Sequence, residues 1–319
     1  MRDILEKKYT RIDIEEVQAM AREDPARLVQ TSEEYYNSQV MGAARHIAQA
    51  SQYRFVLLCG PSASGKTTTA HKLRHRLRDL GVHSPVISMD NFFRGIDSYP
   101  LRDNGMPDLE SVRNMDMELL NECFDRLMEK GEAMFPVYDF VEQCQKRDAY
   151  RIRLGQRDIL IMEGIHALNP MVLSHIPNHR IFRLYVSVRT KFVSGEEEVL
   201  KPKEIRLIRR LVRDNNFRNY PPQSTLKQWA HVLEGELENI NPYRDDVDLK
   251  MDNTLDYELC VWHEQLQSLL KTVDSAIYDT YPEMQRIFDA LMRFPQIDHN
   301  LIPENSLLRE FIGTDAAAG

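Results

Sequence analysis

A stretch rich in small residues combines the groups with which proteins bind phosphate. Residues 60–67 read Gly-Pro-Ser-Ala-Ser-Gly-Lys-Thr and follow an apolar run. The pattern matches the phosphate-binding loop G-x-x-x-x-G-K-[ST], set between a strand and a helix. Gly60 and Gly65 permit backbone conformations that turn N–H groups toward phosphates, Lys66 adds a positive charge, and the Thr67 hydroxyl can ligate Mg²⁺. A chance match in a glycine- and serine-rich turn is the alternative, and the flanking patterns argue against it.

Two carboxylates follow predicted strands. Residues 85–89 predict a short strand that leads to Asp90, and the apolar run 158–162 predicts a buried strand that ends at Glu163. Ligands of parallel sheets collect at the carboxyl ends of the strands, so both carboxylates are expected beside the phosphate-binding loop. There Asp90 can hold Mg²⁺ or accept a proton from an attacking hydroxyl, and Glu163 can reach Mg²⁺ or its water shell. The alternative for Asp90 is a turn cap, and His166 can be either catalytic or a residue that holds the local turn.

Basic residues gather between positions 201 and 219 of an acidic chain. Arg206, Arg210 and Arg213 fall at i, i+4 and i+7 and therefore on one face of a predicted helix. Such a face could be solvated or could contact nucleic acid. Beside a phosphate-binding loop, the simplest interpretation is a lid whose guanidinium groups close on the transferring phosphoryl group.

The elements that must position these groups alternate between strands and helices. This order predicts a parallel sheet with right-handed crossovers, and further strands are predicted at 181–187 and 246–252. We therefore predict an α/β, three-layer phosphate-loop NTPase fold with a mostly parallel sheet. The predicted organisation is a helical N-terminal extension (1–50), a kinase domain (51–275) with an arginine-rich helical lid at about 195–225, and a helical C-terminal extension with a tail (276–319).

The composition bounds the class of protein. The chain has 319 residues, of which 42% are hydrophobic, and a formal net charge of −8. Its acidic balance argues against nucleic-acid binding as the main function. The four cysteines are too scattered for a zinc knuckle or a C-x-x-C redox pair, and no stretch approaches the ~20 apolar residues of a membrane span. We expect a cytoplasmic protein whose partner is a small molecule, and neither a nucleic acid nor a membrane.

Several segments together resemble the uridine kinase family of nucleoside kinases, a branch of the phosphate-loop kinases that also includes phosphoribulokinase. The likeness covers about residues 53–275. Within the family, the chain looks like a bacterial subgroup that often carries an N-terminal domain similar to one in threonyl-tRNA synthetase, for which residues 1–50 are too short. The segments that carry the family likeness are 60–68, 88–93, 136–140, 161–166 and 209–214, and those that carry the likeness to the subgroup are 163–170, 213–215 and 302–313.

The resemblance implies a kinase that uses ATP and Mg²⁺ to phosphorylate the 5′-hydroxyl of a uridine- or cytidine-like nucleoside, and it is compatible with a homo-oligomer. It implies that Asp90 is the general base and acts with Lys66, Arg210 and Arg213. The residues that it implies for Mg²⁺ are Thr67, Asp90 and Glu163. Those that it implies for ATP are Gly60, Ser62, Ala63, Ser64, Gly65, Lys66, Thr67, Thr68, Arg218 and Asp248, the last near the adenine.

On the acceptor side, the resemblance implies that Asp108 holds the ribose hydroxyls and that Tyr138 lies beside the base. Arg210 and the Gln228 amide join Asp90 in contacting the substrate, and Gln143 takes the place of a histidine found in pyrimidine kinases of the family.

Two departures from the family pattern fall on this acceptor side. Gln143 can still offer a donor and an acceptor to a base edge, and Arg218-Asn-Tyr220 replaces an Arg-Gly-Arg in the lid. A kinase for another sugar, polyol or sugar phosphate therefore stays open as an alternative. A catalytically silent nucleotide-binding regulator is the alternative from another class.

Overall fold

The centre of the protein is a sheet of five strands that all run parallel. This computed structural model describes residues 11–313, except 104, 106, 140–141, 174–175, 272, 274–277 and 279–280. From one edge of the sheet to the other, the strands are Leu249–Asp252 (β10), Ile181–Ser187 (β7), Phe55–Cys59 (β2), Leu160–Glu163 (β6) and Val86–Ser88 (β3).

Helices cover both faces of this sheet because successive side chains of a strand point to opposite faces. In β2, Val56 and Leu58 belong to one apolar cluster, while Phe55 and Leu57 belong to the other. This arrangement confirms the predicted α/β, three-layer fold with its mostly parallel sheet. The helices and strands whose apolar residues join the first cluster include Pro25–Gln49 (α2), Lys66–Asp79 (α3) and Leu259–Leu270 (α8), and those of the second include Met117–Lys130 (α4) and the hairpin Glu132–Asp139 (β4) and Cys144–Arg153 (β5).

The first described element of the N-terminal part is a strand, although the predicted extension 1–50 is helical. Arg11–Asp13 (β1) pairs in parallel with Lys191–Ser194 (β8), which pairs antiparallel with Glu197–Leu200 (β9). The backbone of residues 11–13 thus finds its partners in another chain segment, which local helical periodicity does not register. The helices Ile14–Glu23 (α1) and α2 follow, and residues 1–10 lie outside the described residues.

Five further helices complete the described structure. Among the helices of the described residues, none combines the length and apolar composition that a membrane span requires. They are Pro170–Leu173 (α5), Pro202–Arg218 (α6), Pro222–Asn239 (α7), Glu283–Leu291 (α9) and Arg309–Ile312 (α10).

Arg209 of α6 forms a completely buried ion pair with Glu258. Arg209 donates from Nε and from one terminal nitrogen to the two carboxylate oxygens of Glu258, at 2.7 and 2.9 Å. It also donates to the carbonyl oxygen of Asn253 at 2.7 Å, and its guanidinium lies 5.4 Å from the centre of the Phe311 ring. Both charged side chains are fully excluded from solvent, so each depends on the other for the compensation of its charge.

Arg209→Met should lower the free energy of unfolding by about 3–5 kcal/mol, because it leaves the Glu258 carboxylate buried without its partner. Chemical denaturation measures the change. Arg126→Met is the matched control, since its pair with Glu122 is half exposed at 51% and 50% and should contribute less than about 1 kcal/mol. The double variant Arg209→Met, Glu258→Gln should recover part of the loss, and equal losses in the two arginine variants would contradict the assignment.

Candidate active site

The predicted phosphate-binding loop joins the carboxyl end of β2 to the start of α3. Gly65 has φ +83° in the left-handed region, directly before the helix. A Cβ atom on Gly60 would lie 2.0 Å from the carbonyl oxygen of Val186, so a side chain at this position would collide with β7. The first N–H groups of α3 have no acceptors within the helix, and together with the helix dipole they favour an anion at this end.

Lys66 and Thr67 begin α3, where the predicted catalytic groups meet. The Thr67 hydroxyl donates to a carboxylate oxygen of Glu163 at 3.3 Å. The Lys66 ammonium donates to the Pro61 carbonyl oxygen at 3.1 Å, and its charge lowers the pKa of both Asp90 and Glu163 against the larger effect of burial. The structure therefore brings the lysine, the hydroxyl and the two predicted carboxylates together.

Asp90 sits in the short helical turn Met89–Phe92 that follows β3. Ser88, and not Asp90, caps this turn by accepting from the Asp90 N–H, so the carboxylate is not used for the turn-capping role. Burial raises the pKa of Asp90, while the charges of Lys66, Arg218 and Arg213 lower it. The carboxylate therefore faces three cations at the edge where the phosphate-binding loop lies.

Glu163 ends β6, and burial, followed by the charge of Asp90, raises its pKa to about 7. Two carboxylates and the Thr67 hydroxyl provide oxygen ligands, the kind that Mg²⁺ prefers. No group of three or more acidic, histidine or cysteine side chains in the described part of the chain could enclose a metal by itself. The donor set fits a Mg²⁺ that takes its other ligands from water and substrate phosphates.

The lid arginines of α6 are gathered around one aspartate. Asp214, almost fully buried, lies 3.3 Å from Arg210, 2.7 Å from Arg213 and 3.7 Å from Arg218. Arg210 also donates to the Ser62 hydroxyl in the phosphate-binding loop at 2.8 Å. The helix therefore carries the Arg210 guanidinium against the loop, and one carboxylate holds the three arginines together.

Arg206, predicted to share that face, also contacts the loop, donating to the Ser62 carbonyl oxygen at 3.4 Å, and it has further partners. It pairs with Glu236 at 2.6 Å and lies over the Trp229 ring at 5.6 Å. Its side chain is 5% exposed, so it fixes α6 to α7 and does not form a solvated basic surface.

On the acceptor side, Asp108 is paired within the protein. Its carboxylate accepts from Arg102 at 3.2 and 3.3 Å, and Arg102 in turn contacts Glu234 on α7 at 3.1 Å. Tyr138 is buried in β4, edge-on to Phe93 with ring centres 6.2 Å apart.

Of the two glutamines predicted for the acceptor side, Gln143 is exposed and Gln228 is hydrogen-bonded within the protein. Gln143 is exposed and has φ +51° in the connection before β5, whereas Gln145 lies opposite Tyr138 in the hairpin and donates to the Asn91 carbonyl oxygen at 3.3 Å. The Gln228 amide donates to the Tyr220 hydroxyl at 2.5 Å. Tyr220, one of the lid residues that depart from the family pattern, is thus hydrogen-bonded to Gln228.

Asp248, assigned to the adenine, is not brought to the phosphate-binding loop. It precedes β10, and its carboxylate accepts from the backbone N–H of Arg183 at 2.7 Å. The loop lies at the carboxyl ends of the strands, where β10 instead delivers Asn253. The Asn253 amide donates to the Ser64 carbonyl oxygen and to the Thr69 hydroxyl, each at 2.9 Å.

Sequence patterns missed further residues of the site. The Tyr36 hydroxyl from α2 lies 2.8 Å from the Thr69 hydroxyl, a contact across 33 residues that no local pattern reveals. Glu110 has its pKa raised by burial and lowered by Arg210 and Lys66, with Asp108 and Asp90 also near. Glu110 packs against Gly235 in α7, where a Cβ atom would lie 2.3 Å from the Glu110 Cβ. A glycine inside a helix is the sequence signal that could have indicated this close contact.

His166 is 1% exposed, and within the described structure neither of its ring nitrogens has a hydrogen-bond partner. Only its backbone carbonyl supports the local turn, accepting from the Asn169 N–H at 2.9 Å. Burial and the charge of Lys66 lower the pKa of His166 to about 4, while Asp108 opposes this shift. The imidazole is therefore held neutral between the lysine of the loop and the predicted ribose-binding carboxylate.

The neutral His166 predicts a pH dependence of stability. As the pH falls below 6.5, the ordinary pKa of histidine, the imidazole of the unfolded chain binds a proton, whereas that of the folded protein stays neutral until about pH 4. The stability is therefore full above pH 6.5 and falls as the pH drops from 6.5 to about 4. His166→Leu should remove roughly 3 kcal/mol of that loss. Urea unfolding across the window measures the loss, and the exposed His75→Leu serves as a control. Parallel curves for wild type and His166→Leu would contradict the prediction.

Known proteins resemble this chain over the residues that form the site. Residues 55–258 match the Phosphoribulokinase / Uridine kinase family. The chain is 26% identical over 178 residues to a uridine kinase of Ureaplasma parvum, covering 56% of this chain and 77% of the relative. It is 28% identical over 176 residues to a uridine kinase of Lactobacillus johnsonii, covering 55% and 74%.

A solved structure of D-glycerate 3-kinase from Cryptococcus neoformans aligns with 80% of this chain and 87% of its own, at 16% identity and a TM-score of 0.34. The match to the family spans the phosphate-binding loop, both carboxylates and the arginines of α6. The chain belongs to the phosphoribulokinase/uridine kinase family.

Proposed function

We propose that this phosphotransferase uses ATP and Mg²⁺ to phosphorylate the 5′-hydroxyl of a nucleoside with a uridine- or cytidine-like base. The observation that carries the proposal is the meeting of Lys66, Asp90 and Glu163 at one edge of the sheet. Mere nucleotide sensing does not require an acid at the position of Asp90, which argues against a silent regulator.

The ATP phosphates are assigned to the loop and the first turn of α3. The N–H groups and the Lys66 ammonium bind them, and Thr67, Asp90 and Glu163 are the residues that would hold Mg²⁺ or its waters. When bound, Mg²⁺ supplies neutralisation of the charge on the transferring phosphoryl group. Arg210 and Arg213 approach the same group from α6, and the closed site excludes water that would hydrolyse ATP.

Asp90 is assigned as the general base. A hydroxyl placed against its carboxylate is oriented for in-line attack and transfers its proton to Asp90 as the bond to phosphorus forms. The three cations that face Asp90 oppose the rise that burial causes in its pKa. Asp108 and Tyr138 are assigned to the ribose and base of the acceptor, with Arg210, Gln228 and Gln143 at its border.

Asp90→Asn should lower kcat by a factor on the order of 10²–10⁴, because the amide cannot accept the proton. The dissociation constant for ATP should change little, since the loop and Lys66 are intact. Steady-state kinetics and calorimetric titration with ATP separate the two quantities.

The exposed Asp97→Asn removes a carboxylate from the same loop region and serves as the control with unchanged kcat. A loss of ATP affinity in Asp90→Asn as large as its loss of rate would reject the role of general base.

The acceptor is tested by ADP release with a panel of ribonucleosides, 2′-deoxynucleosides, sugars and sugar phosphates. Uridine and cytidine should be the best substrates. Because the Asp108 carboxylate can bond the ribose hydroxyls, their deoxy forms should have kcat/KM lower by on the order of 10- to 100-fold.

Asp108→Asn should reduce that discrimination and raise KM for the ribonucleoside, while KM for ATP stays the same. The exposed Asp103→Asn, a few residues away, should leave both constants unchanged. Turnover with a sugar or sugar phosphate, and with no nucleoside, would replace the acceptor and leave the kinase assignment standing.

A further inference from the structure

A glutamate from the end of the chain occupies donors of the phosphate-binding loop. Glu310 lies in α10, and one of its carboxylate oxygens accepts from the Thr68 hydroxyl at 2.6 Å and from the Thr68 backbone N–H at 3.3 Å. Thr68 is in the first turn of α3, where the N–H groups have no acceptor within the helix. The carboxylate therefore takes the place that the helix offers to an anion.

The contact is part of a larger docking of the residues 306–313, the C-terminal segment. Leu307 lies against Gly65, where a Cβ atom would be 2.5 Å from the leucine side chain. The Phe311 carbonyl oxygen accepts from Asn216 on α6 at 3.2 Å, and the Phe311 ring packs under Arg209. The segment thus bridges the start of α3 and the lid helix.

A bound nucleotide and Glu310 need the same hydrogen-bond donors. In a phosphate-binding loop, the backbone N–H groups of the loop and of the start of the helix bind the phosphates nearest the nucleoside. A carboxylate at Thr68 uses these donors and repels an incoming phosphate of the same charge. Both cannot bond the Thr68 N–H and hydroxyl at once.

We propose that Glu310 is a determinant of nucleotide affinity, an internal anion that competes with the nucleotide's phosphates for Thr68. Nucleotide binding then requires Glu310 to leave the first turn of α3, and the C-terminal segment to shift with it. This inference rests on the proposed function, since it takes the loop to be the ATP site.

The experiment is a calorimetric titration of ADP and of adenosine into the full chain. Glu310→Ala should bind ADP roughly tenfold more tightly than wild type, because a charge-assisted hydrogen bond no longer has to be broken. Glu310→Gln, which keeps the shape and loses the charge, should fall between them. Adenosine has no phosphate, so its affinity should be the same in all three proteins.

The matched control is Glu304→Ala, which removes an exposed negative charge shortly before the C-terminal segment and should leave ADP affinity unchanged. In wild type, ADP should also increase hydrogen exchange of residues 306–313, a readout independent of turnover. Equal or weaker ADP binding by Glu310→Ala would overturn the competition. Absence of ADP binding in every variant would instead reject the proposed function.

Discussion

The site depends on a buried ion pair that is not itself catalytic. Arg209 and Glu258 neutralise each other away from solvent. Arg209 also donates to the Asn253 carbonyl oxygen just after β10 and lies over the Phe311 ring of the C-terminal segment. The Ala63 carbonyl oxygen of the phosphate-binding loop is 3.5 Å from the same guanidinium. One buried cation therefore fixes the loop, the last strand, the lid helix and the chain end relative to one another, and burial without water makes these contacts hard to exchange.

Carboxylates and cations oppose one another around this anchor. Burial raises the pKa of Asp90, Glu110 and Glu163. Lys66 of the loop and arginines of the lid oppose this rise for Asp90 and Glu110, and Lys66 opposes it for Glu163. The arginines of the lid are in turn held by Asp214. Phosphates that enter the site meet three arginines whose positions Asp214 already fixes, so the lid binds them with little reorganisation.

The donor half of the site could be predicted because its signals are local. The loop, its strand and its helix are contiguous, and Asp90 and Glu163 each follow their own strand directly. Groups held by distant partners gave no such signal. Tyr36 acts through a side-chain contact with Thr69, 33 residues along the chain. Asp248 lies away from the loop because β10 begins at Leu249 and delivers its other end to the loop, and its assignment to the adenine stays a prediction. The strand at 11–13 depends likewise on a partner far along the chain.

The acceptor half resists prediction for a different physical reason. Its candidate groups are already bonded within the protein, Asp108 to Arg102 and Gln228 to Tyr220. A ribose that takes the Asp108 carboxylate must displace or share the Arg102 guanidinium, and a base that takes the Gln228 amide must compete with a phenol. Acceptor affinity is then the difference between two sets of hydrogen bonds of similar strength. A substitution beside the site, such as the tyrosine at position 220 of the lid, can therefore change which acceptor binds best without altering a residue that binds ATP.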